Sequence, residues 1–285
     1  LSFVFVAWRG DDLLPCWLIH QGLFVMFIAT SPACSLDRFI VQADSLPLPG
    51  AAHLALQRVC FDPAAFTPAC YDAAGMVLPA SLQRAAPKRL GEFLAGRLAA
   101  RRALHPFGLG QQQVSIGAAR EPCWPAGFEG SISHSLLQGR GMALCAVRPG
   151  RAGMGLDLEG WLAEGQASEL WPGIASGEEW GRLAAAARSV GLSRAEALTL
   201  IFSAKESLFK ALYPRVGRYF DFLDARWLTM TAQTLTLELV GGLTPTLPAG
   251  WRCTLYWQPM YWQALHWQTG HWQTLPGGVL TSLLL

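Results

Sequence analysis

The chain has 285 residues, which is long enough for one large domain or two smaller ones. It is 52% hydrophobic and 15% charged, so we expect a globular protein rich in buried surface. The net charge is only +2 and no long basic run occurs, so nucleic acid is not an expected partner. The seven cysteines are dispersed without zinc-ligand spacing, a pattern typical of reduced thiols in the cytoplasm.

Residues 1–45 form an atypical apolar extension. Within it, Leu13 to Thr30 is nearly continuous apolar sequence with a short polar break in its middle. A membrane anchor and a signal peptide are the two targeting interpretations. Asp11 and Asp12 at its start and the polar break argue against both. The alternatives are a buried helix, a disordered extension, or sequence upstream of the true start, and we expect no membrane association.

The next region predicts a strand followed by a basic helix. Asp44–Gly50 has the composition of a linker, and Ala52–Phe61 alternates like a strand. A helix opens at Ser81 or Pro87 and runs to about His105. Its polar face is basic, with Glu92 as its one acid; the basic residues are Lys88, Arg89, Arg97, Arg101 and Arg102. Such a face either binds anions or is simply solvated.

A serine-histidine motif follows, in an extended run from Gly130 to Ser135 that precedes a predicted strand, Gly141–Val147. Ser131, Ser133 and His134 are hydrogen-bonding groups close together in sequence. Alone, the motif is more typical of a turn or cap with a satisfied histidine than of a ligand site.

The segment Gly155-x-Asp157-x-Glu159 reads as a strand edge. Residues two apart on a strand point to the same side, so the two carboxylates converge and repel each other. A cation relieves that repulsion, and oxygen-only ligands suit Mg²⁺. The alternative is a polar strand edge that faces water.

Ala195–Tyr213 reads as a helix that ends at Pro214. Glu206 and Lys210 are four residues apart and share a face, with Lys205 one position away. Two of the three lysines of the chain therefore flank one glutamate. This arrangement suits a site for phosphate and a divalent cation, but an ordinary surface salt bridge explains it equally well.

The last quarter of the chain predicts strands at 227–240 and 279–285. Between them, a Trp-Gln repeat at residues 257–273 has a period of five, which matches neither a helix nor a strand face. It suggests no function.

Three motifs resemble those of the 4'-phosphopantetheinyl transferase superfamily of the surfactin-synthetase-activating type. Two further motifs resemble its enterobactin-synthase component D-like subgroup, although Arg120-Glu121-Pro122 stands where relatives have Gly-Lys-Pro. The resemblance covers about residues 50–240. The motifs are Lys88 to Arg97, Arg120-Glu121-Pro122-x-Trp124-Pro125, Ser131-Ile132-Ser133-His134, Gly155-x-Asp157-x-Glu159, and Phe202-Ser203-x-Lys205-Glu206-x-x-x-Lys210.

The resemblance implies an α/β (α+β) fold of two similar halves about a pseudo-twofold axis. Each half has a small antiparallel sheet packed on a long helix, and the cofactor binds between them. An N-terminal half over 50–150 would hold the basic helix and the Ser-His motif. A C-terminal half over 151–285 would hold the carboxylates and the Lys-Glu helix.

The implied reaction moves the phosphopantetheine arm of coenzyme A onto a serine of an apo acyl or peptidyl carrier protein and releases 3',5'-ADP. Asp157, Glu159 and Glu206 would hold Mg²⁺, and Glu206, Lys210 and Asp157 would be catalytic. Which carboxylate is the general base stays open. Lys88, Arg89, Arg97, Arg120, Ser133, His134 and Lys205 would bind coenzyme A, with Arg102 as a further candidate.

The resemblance leaves other functions to weigh. A degenerate member could bind coenzyme A without transfer, but no proposed metal ligand is missing and Lys210 is present. A membrane-tethered interaction protein is the second alternative. The carrier could belong to fatty acid, siderophore or polyketide synthesis, and the sequence does not choose. We expect a cytoplasmic monomer.

Overall fold

The computed structural model describes residues 16–20, 23–27, 36–262, 267–268, 271–272 and 275–285. It shows a mixed α/β fold with antiparallel sheets. The strands are β1 (Cys16–His20), β2 (Leu23–Phe27), β3 (Ile40–Leu48), β4 (Ala51–Phe61), β5 (Ser115–Ile116), β6 (Pro122–Cys123), β7 (Phe128–Leu137), β8 (Arg140–Pro149), β9 (Met154–Gly160), β10 (Ala225–Met230), β11 (Thr234–Leu239), β12 (Arg252–Trp262), β13 (Trp267–Gln268), β14 (His271–Trp272) and β15 (Leu275–Leu284).

The described helices include two that are much longer than the rest, α3 and α6. Short 3₁₀ turns occur at 63–65, 80–82, 105–107 and 222–224. The α-helices are α1 (Leu36–Phe39), α2 (Ala69–Ala73), α3 (Pro87–Leu104), α4 (Glu164–Ile174), α5 (Gly177–Ser189) and α6 (Arg194–Val216).

The first large sheet has the strand order β3-β4-β8-β7 and carries α3 on one face. Helix α3 begins at Pro87, where the missing N–H would have had no helical partner. Leu90, Leu94 and Leu104 are among the side chains that it buries against β4 and β8. The predicted strand and helix in this region are confirmed, with Pro87 as the start.

The second large sheet has the order β10-β11-β12-β15-β9 and carries α6. Ser193 and Glu196 form a capping box at the start of α6, and Gly217 ends it in the left-handed conformation, with φ of 67°. Leu198, Ile201 and Leu208 lie in the main core beneath this helix.

The two sheets meet along β7 and β9. The hydroxyl of Ser131 accepts from the amide of Leu156, and that of Ser133 accepts from the amide of Leu158. A third cluster of buried side chains from both sheets fills the space behind this seam. The Ser-His motif thereby lies beside the acidic strand. The pseudo-twofold relation of the halves stays a prediction.

Three predicted boundaries are wrong. Asp44–Gly50 is not a linker, since β3 continues to Leu48 and pairs with β4. Pro214 does not stop α6: it lies in the last turn, where it removes a single helical donor. Residues 227–240 are two strands, because Thr231 and Thr234 bond each other in a turn between β10 and β11.

The N-terminal segment lies largely outside the described residues. Where it is described, β1 and β2 pair antiparallel, so a buried helix is the wrong interpretation there. No helix in the described ranges is long and apolar enough to cross a membrane. Cys60, Cys123, Cys145 and Cys253 are free, whereas Cys70 is disulfide-bonded, contrary to the expectation that all cysteines are reduced. Most of the Trp-Gln repeat lies outside the described side chains.

Candidate functional site

Strand β9 brings its carboxylates against α6 because a glycine precedes them on the same face. A Cβ built on Gly155 would lie 1.8 Å from the main-chain oxygen of Ser207. Any side chain there would push the helix away from the strand. Successive residues of a strand point to alternate sides, so Asp157 and Glu159 lie on the same side as Gly155, farther along the contact with α6. The glycine of the Gly-x-Asp-x-Glu motif therefore permits close packing.

Asp157 is the centre of the acidic cluster and is only 2% exposed. Its Oδ1 accepts from Lys210 Nζ at 2.6 Å and from Ser133 Oγ at 3.0 Å. Lys210 also donates to the main-chain oxygen of Leu156 at 3.0 Å. Asp157 Oδ2 is buried and has no hydrogen-bond partner. The structure thus joins Asp157, Ser133 and Lys210 from three different elements and leaves one carboxylate oxygen unsatisfied.

The surroundings of the two glutamates in the cluster raise their pKa values. Burial, followed by the neighbouring Asp157, raises the pKa of Glu159 to about 8, against the opposing effect of Lys210. The pKa of Glu206 is also raised, chiefly by burial, with Lys210 opposing and Asp157 adding to the rise. Three carboxylates therefore influence one another, with one lysine between them.

The donor set fits a hard divalent cation. All candidate ligands are carboxylate oxygens, the type that Mg²⁺ prefers. Oδ2 of Asp157 lacks a partner, and the repulsion that disfavours charge on Glu159 is what a cation would relieve. Across the described part of the chain, no three such side chains are already arranged as a metal cluster. The fit therefore rests on donor type and charge.

The basic side of the site lies on α3 opposite β7. Arg89 Nη1 lies 2.9 Å from His134 Nε2, and Glu92 lies 3.8 Å from Nδ1 of the same ring. Burial, then Arg89 and Lys210, lower the pKa of His134 to about 4, so the ring is neutral at neutral pH. Arginine only donates, so Nε2 accepts and Nδ1 carries the proton toward Glu92. Lys88 and Arg89 are mostly exposed and can reach an anion.

Several predicted site residues lie elsewhere. Arg97 is buried, and its Nε donates to the main-chain oxygen of Val114 at 2.6 Å. Lys205 is buried on the far side of α6, where Nζ donates to Ile174 O at 2.7 Å and lies 3.4 Å from Glu179. Arg120 is exposed in a turn, with φ of 70°.

A pocket adjoins Glu206. Its walls are mainly apolar and aromatic, and the rings of Tyr219 and Phe209 contact each other at a tilt of 52°. The sequence signal for it was the cluster of aromatic residues at 219–222, which drew no prediction. The residues that line it include Glu206, Leu208, Phe209, Tyr219, Phe220 and Phe222.

Sequence reasoning also missed a buried hydroxyl cluster behind the acidic strand. Ser203 and Ser207 of α6 meet Thr281 of β15 there. The serines are one helical turn apart, which was visible in sequence. Nothing local to Thr281 pointed to it, because its partners lie more than 70 residues earlier.

Comparison with known families and proteins gives consistent matches. Residues 78–148 match the 4'-phosphopantetheinyl transferase N-terminal domain, and residues 153–255 match the 4'-phosphopantetheinyl transferase superfamily. The two matches lie on either side of the turn between β8 and β9.

Individual relatives match more than half of this chain. Enterobactin synthase component D of Escherichia coli is 43% identical over 191 residues, 67% of this chain and 85% of the relative. Its counterpart in Salmonella typhimurium is 36% identical over 201 residues, 70% and 80% of the two chains. The transferase Svp of Streptomyces mobaraensis is 39% identical over 167 residues, 56% and 64%.

Proposed function

Since this chain belongs to the 4'-phosphopantetheinyl transferase superfamily and is an enzyme of that class, we propose that it moves the phosphopantetheine arm of coenzyme A to a carrier-protein serine, requires Mg²⁺ and releases 3',5'-ADP. The observation that carries the proposal is the contact of Lys210 with Asp157 and Ser133, which unites three family motifs at one point.

The reaction breaks the phosphoanhydride bond of the coenzyme A pyrophosphate and forms a phosphodiester bond to the carrier serine. The serine oxygen forms a bond to the phosphorus that bears the pantetheine arm, and the bridging oxygen of the pyrophosphate leaves with 3',5'-ADP. Glu206 takes the serine proton in this proposal. It borders a pocket, and a carboxylate there would accept the proton directly or through a water. Lys210 stabilises the charge that develops on the phosphate oxygens.

Asp157, Glu159 and Glu206 would hold Mg²⁺, which would neutralise pyrophosphate charge and polarise the attacked phosphorus. Lys210 then keeps Asp157 in place through its bond to Oδ1, while Oδ2 faces away from that bond and is free to ligate. The charge of Lys210 also reduces the repulsion among the three carboxyl groups before a ligand arrives.

The nucleotide side of coenzyme A would bind along α3. Arg89 and Lys88 are exposed and close to His134, and Arg120 lies on the same half of the protein. An arriving phosphate would favour protonation of His134 and turn its ring into a second donor. Arg97 and Lys205 support the site from within, since their donors are directed at main-chain oxygens.

One end of the pantetheine arm would contact the pocket beside Glu206. The arm is partly apolar and must extend from the phosphate held near Lys210. The aromatic side chains of Phe209, Tyr219 and Phe220 would offer it contact area close to the proposed base.

The names of the relatives guide the choice of carrier. Enterobactin synthase component D is named for siderophore synthesis, so we propose a peptidyl or aryl carrier domain of a siderophore synthase as the acceptor. An acyl carrier protein of fatty acid synthesis is the second candidate. We also propose a cytoplasmic monomer, because coenzyme A is available in the cytoplasm and both halves of the site come from one chain.

The decisive test is the intact mass of an apo carrier domain after incubation with this protein, coenzyme A and Mg²⁺. The expected result is a gain of one phosphopantetheine arm that EDTA abolishes. Both a siderophore-type carrier and a fatty acid carrier serve as substrates in parallel. A folded sample that binds coenzyme A but modifies neither carrier would contradict the proposal and favour a binding module.

A further inference from the structure

Helix α6 meets the sheet through two polar contacts. One is the pair between Lys210 and Asp157. The other is a cluster of three hydroxyl groups, from Ser203 and Ser207 on α6 and Thr281 on β15, each on a fully buried residue (0% exposed). Burying polar groups is unfavourable unless they bond one another, and no step of the proposed reaction uses these three. Their placement therefore needs a separate explanation.

Thr281 is the hub of this hydroxyl cluster. Its Oγ1 lies 2.7 Å from Ser207 Oγ and 3.0 Å from Ser203 Oγ, and it donates to the main-chain oxygen of Ser203 at 2.9 Å. A threonine hydroxyl has one proton and two acceptor sites, so it can accept from both serines. All three hydroxyls are then satisfied, and the helix is joined to the strand at one point.

The register of the sheet links the cluster to the acidic strand. Thr281 lies directly opposite Asp157 in the β9–β15 ladder. Residues opposite each other in antiparallel strands point to the same face, so Thr281 and Asp157 meet α6 side by side. Ser203 Oγ also lies 3.3 Å from the main-chain oxygen of Asp157. The cluster and the carboxylate are parts of one contact.

The same contact governs where Glu206 lies. Glu206 directly precedes Ser207, so a rotation or slide of α6 that moved Ser207 would move the glutamate with it. Apolar packing tolerates small slides, whereas a hydrogen bond of 2.7 Å does not. We propose that Thr281 is a positioning residue, whose hydroxyl sets the separation of Glu206 on α6 from Asp157 and Glu159 on β9.

This inference rests on the proposed function, because those three carboxylates are the proposed cation ligands. Thr281→Val removes the hydroxyl and keeps the shape of the side chain. We expect affinity for Mn²⁺, measured by electron paramagnetic resonance with coenzyme A present, to fall about tenfold, as for other residues that orient metal ligands. The kcat should fall about tenfold and the KM for coenzyme A should stay within about twofold. Thr281→Ser should restore both affinity and kcat.

The matched control is Thr199→Val. Like Thr281, Thr199 is fully buried, and it lies on α6. Its hydroxyl donates to Ala195 O at 2.9 Å and accepts from Leu162 N at 3.1 Å. We expect this variant to lose thermal stability much as Thr281→Val does, with wild-type Mn²⁺ affinity and kcat. If Thr281→Val does not fold, Ser207→Ala breaks the same cluster from the helix side and should show the same selective loss.

Two results would overturn the inference, and they differ. Wild-type Mn²⁺ affinity and kcat in a destabilised Thr281→Val would show that the hydroxyl contributes to stability alone, with the proposed function intact. A wild-type protein that binds coenzyme A but neither binds Mn²⁺ nor modifies a carrier would remove the proposed function itself, and the role of Thr281 with it.

Discussion

Helices α3 and α6 each pack on an antiparallel sheet, but they place their functional side chains in opposite surroundings. On α3, the side chains of Lys88 and Arg89 are 64% and 51% exposed. At α6, the side chains of Lys210 and Asp157 are 25% and 3% exposed. Exposed charges are screened by water and salt, whereas buried pairs interact strongly and have fixed partners. In the proposed function, the exposed side chains of α3 would bind coenzyme A and the buried groups at α6 would carry the chemistry.

The largest expected effect comes from removing the charge of Asp157. Asp157→Asn keeps the size of the side chain but weakens its hold on a cation and on Lys210, so kcat/KM should fall by about 10³-fold or more. Mass spectrometry of the carrier over time measures it, with exposed Glu164→Gln as the control. If Asp157→Asn transferred the arm at a rate near wild type, the assigned catalytic side would be wrong.

The close contact of α6 with β9 gives the next prediction. Gly155→Ala should lower the free energy of unfolding by about 3 kcal/mol, because its Cβ meets backbone of Ser207 that cannot move alone. Gly96→Ala on α3 is the counterpart, since its Cβ would meet only a side-chain methyl of Ile132 at 3.1 Å. That variant should be nearly neutral in urea unfolding. Equal losses would show that the two helix contacts are equally tight.

Lys210→Ala should slow transfer more than it weakens coenzyme A binding. The lysine contacts Asp157 and Leu156 of β9 and Ser133 of β7, so we expect kcat to fall about 100-fold while KM changes little. Steady-state kinetics with a saturating carrier separates the two constants. A change confined to KM would mean that Lys210 contributes to coenzyme A binding and not to the transfer step.

Arg89 and Arg97 allow an exposed and a buried arginine to be compared within α3 itself. Arg89→Ala should raise the KM for coenzyme A about tenfold and leave stability unchanged, because the side chain is exposed. Arg97→Ala should instead reduce stability by about 1 to 3 kcal/mol, because the oxygen of Val114 loses a buried donor. Calorimetric titration of coenzyme A and thermal unfolding of both variants give the two readouts. If Arg97→Ala weakened coenzyme A binding without loss of stability, Arg97 would belong to the binding surface.

Short-range pattern was enough to predict much of this site. Alternation in β9 placed Asp157 and Glu159 on one side, and helical spacing placed Glu206 and Lys210 on another shared face. The strand at Ala51–Phe61 and the helix from Pro87 follow from the same kind of pattern. Each of these predictions depends only on residues a few positions apart, so the local sequence was sufficient to make it.

Other features of the site depend on contacts between residues far apart in sequence, and these could not be predicted from local pattern. Lys205 lies one position from Glu206, and only the placement of α5, which carries Glu179, turns it inward. Arg97 was predicted to bind coenzyme A from a basic face of the helix, but small residues let α3 bury most of its circumference, and Arg97 with it. Thr281 faces Asp157 through a strand register set across more than 100 residues. None of these contacts leaves a local signal.

The smallest expected effect is a pH dependence of stability from the α3 side. The folded protein holds the pKa of His134 at about 4, below its ordinary value of 6.5, because of burial, Arg89, Lys210 and, more weakly, Arg97. Between those values the unfolded chain binds the proton and the folded protein does not. Stability should therefore fall by about 1 to 3 kcal/mol as pH drops from 6.5 to 4. Glu92, near Nδ1, limits the loss.

The measurement is urea unfolding at several pH values, compared between the wild type and His134→Gln. Carboxylates also titrate near pH 4, so the difference between the two proteins isolates the histidine. His134→Gln should lose part of the slope, and exposed His53→Gln should keep all of it. Coenzyme A should reduce the slope in the wild type, because a bound phosphate favours the protonated ring. An unchanged slope in His134→Gln would mean that the histidine titrates alike in the folded and unfolded protein, which would contradict the lowered pKa.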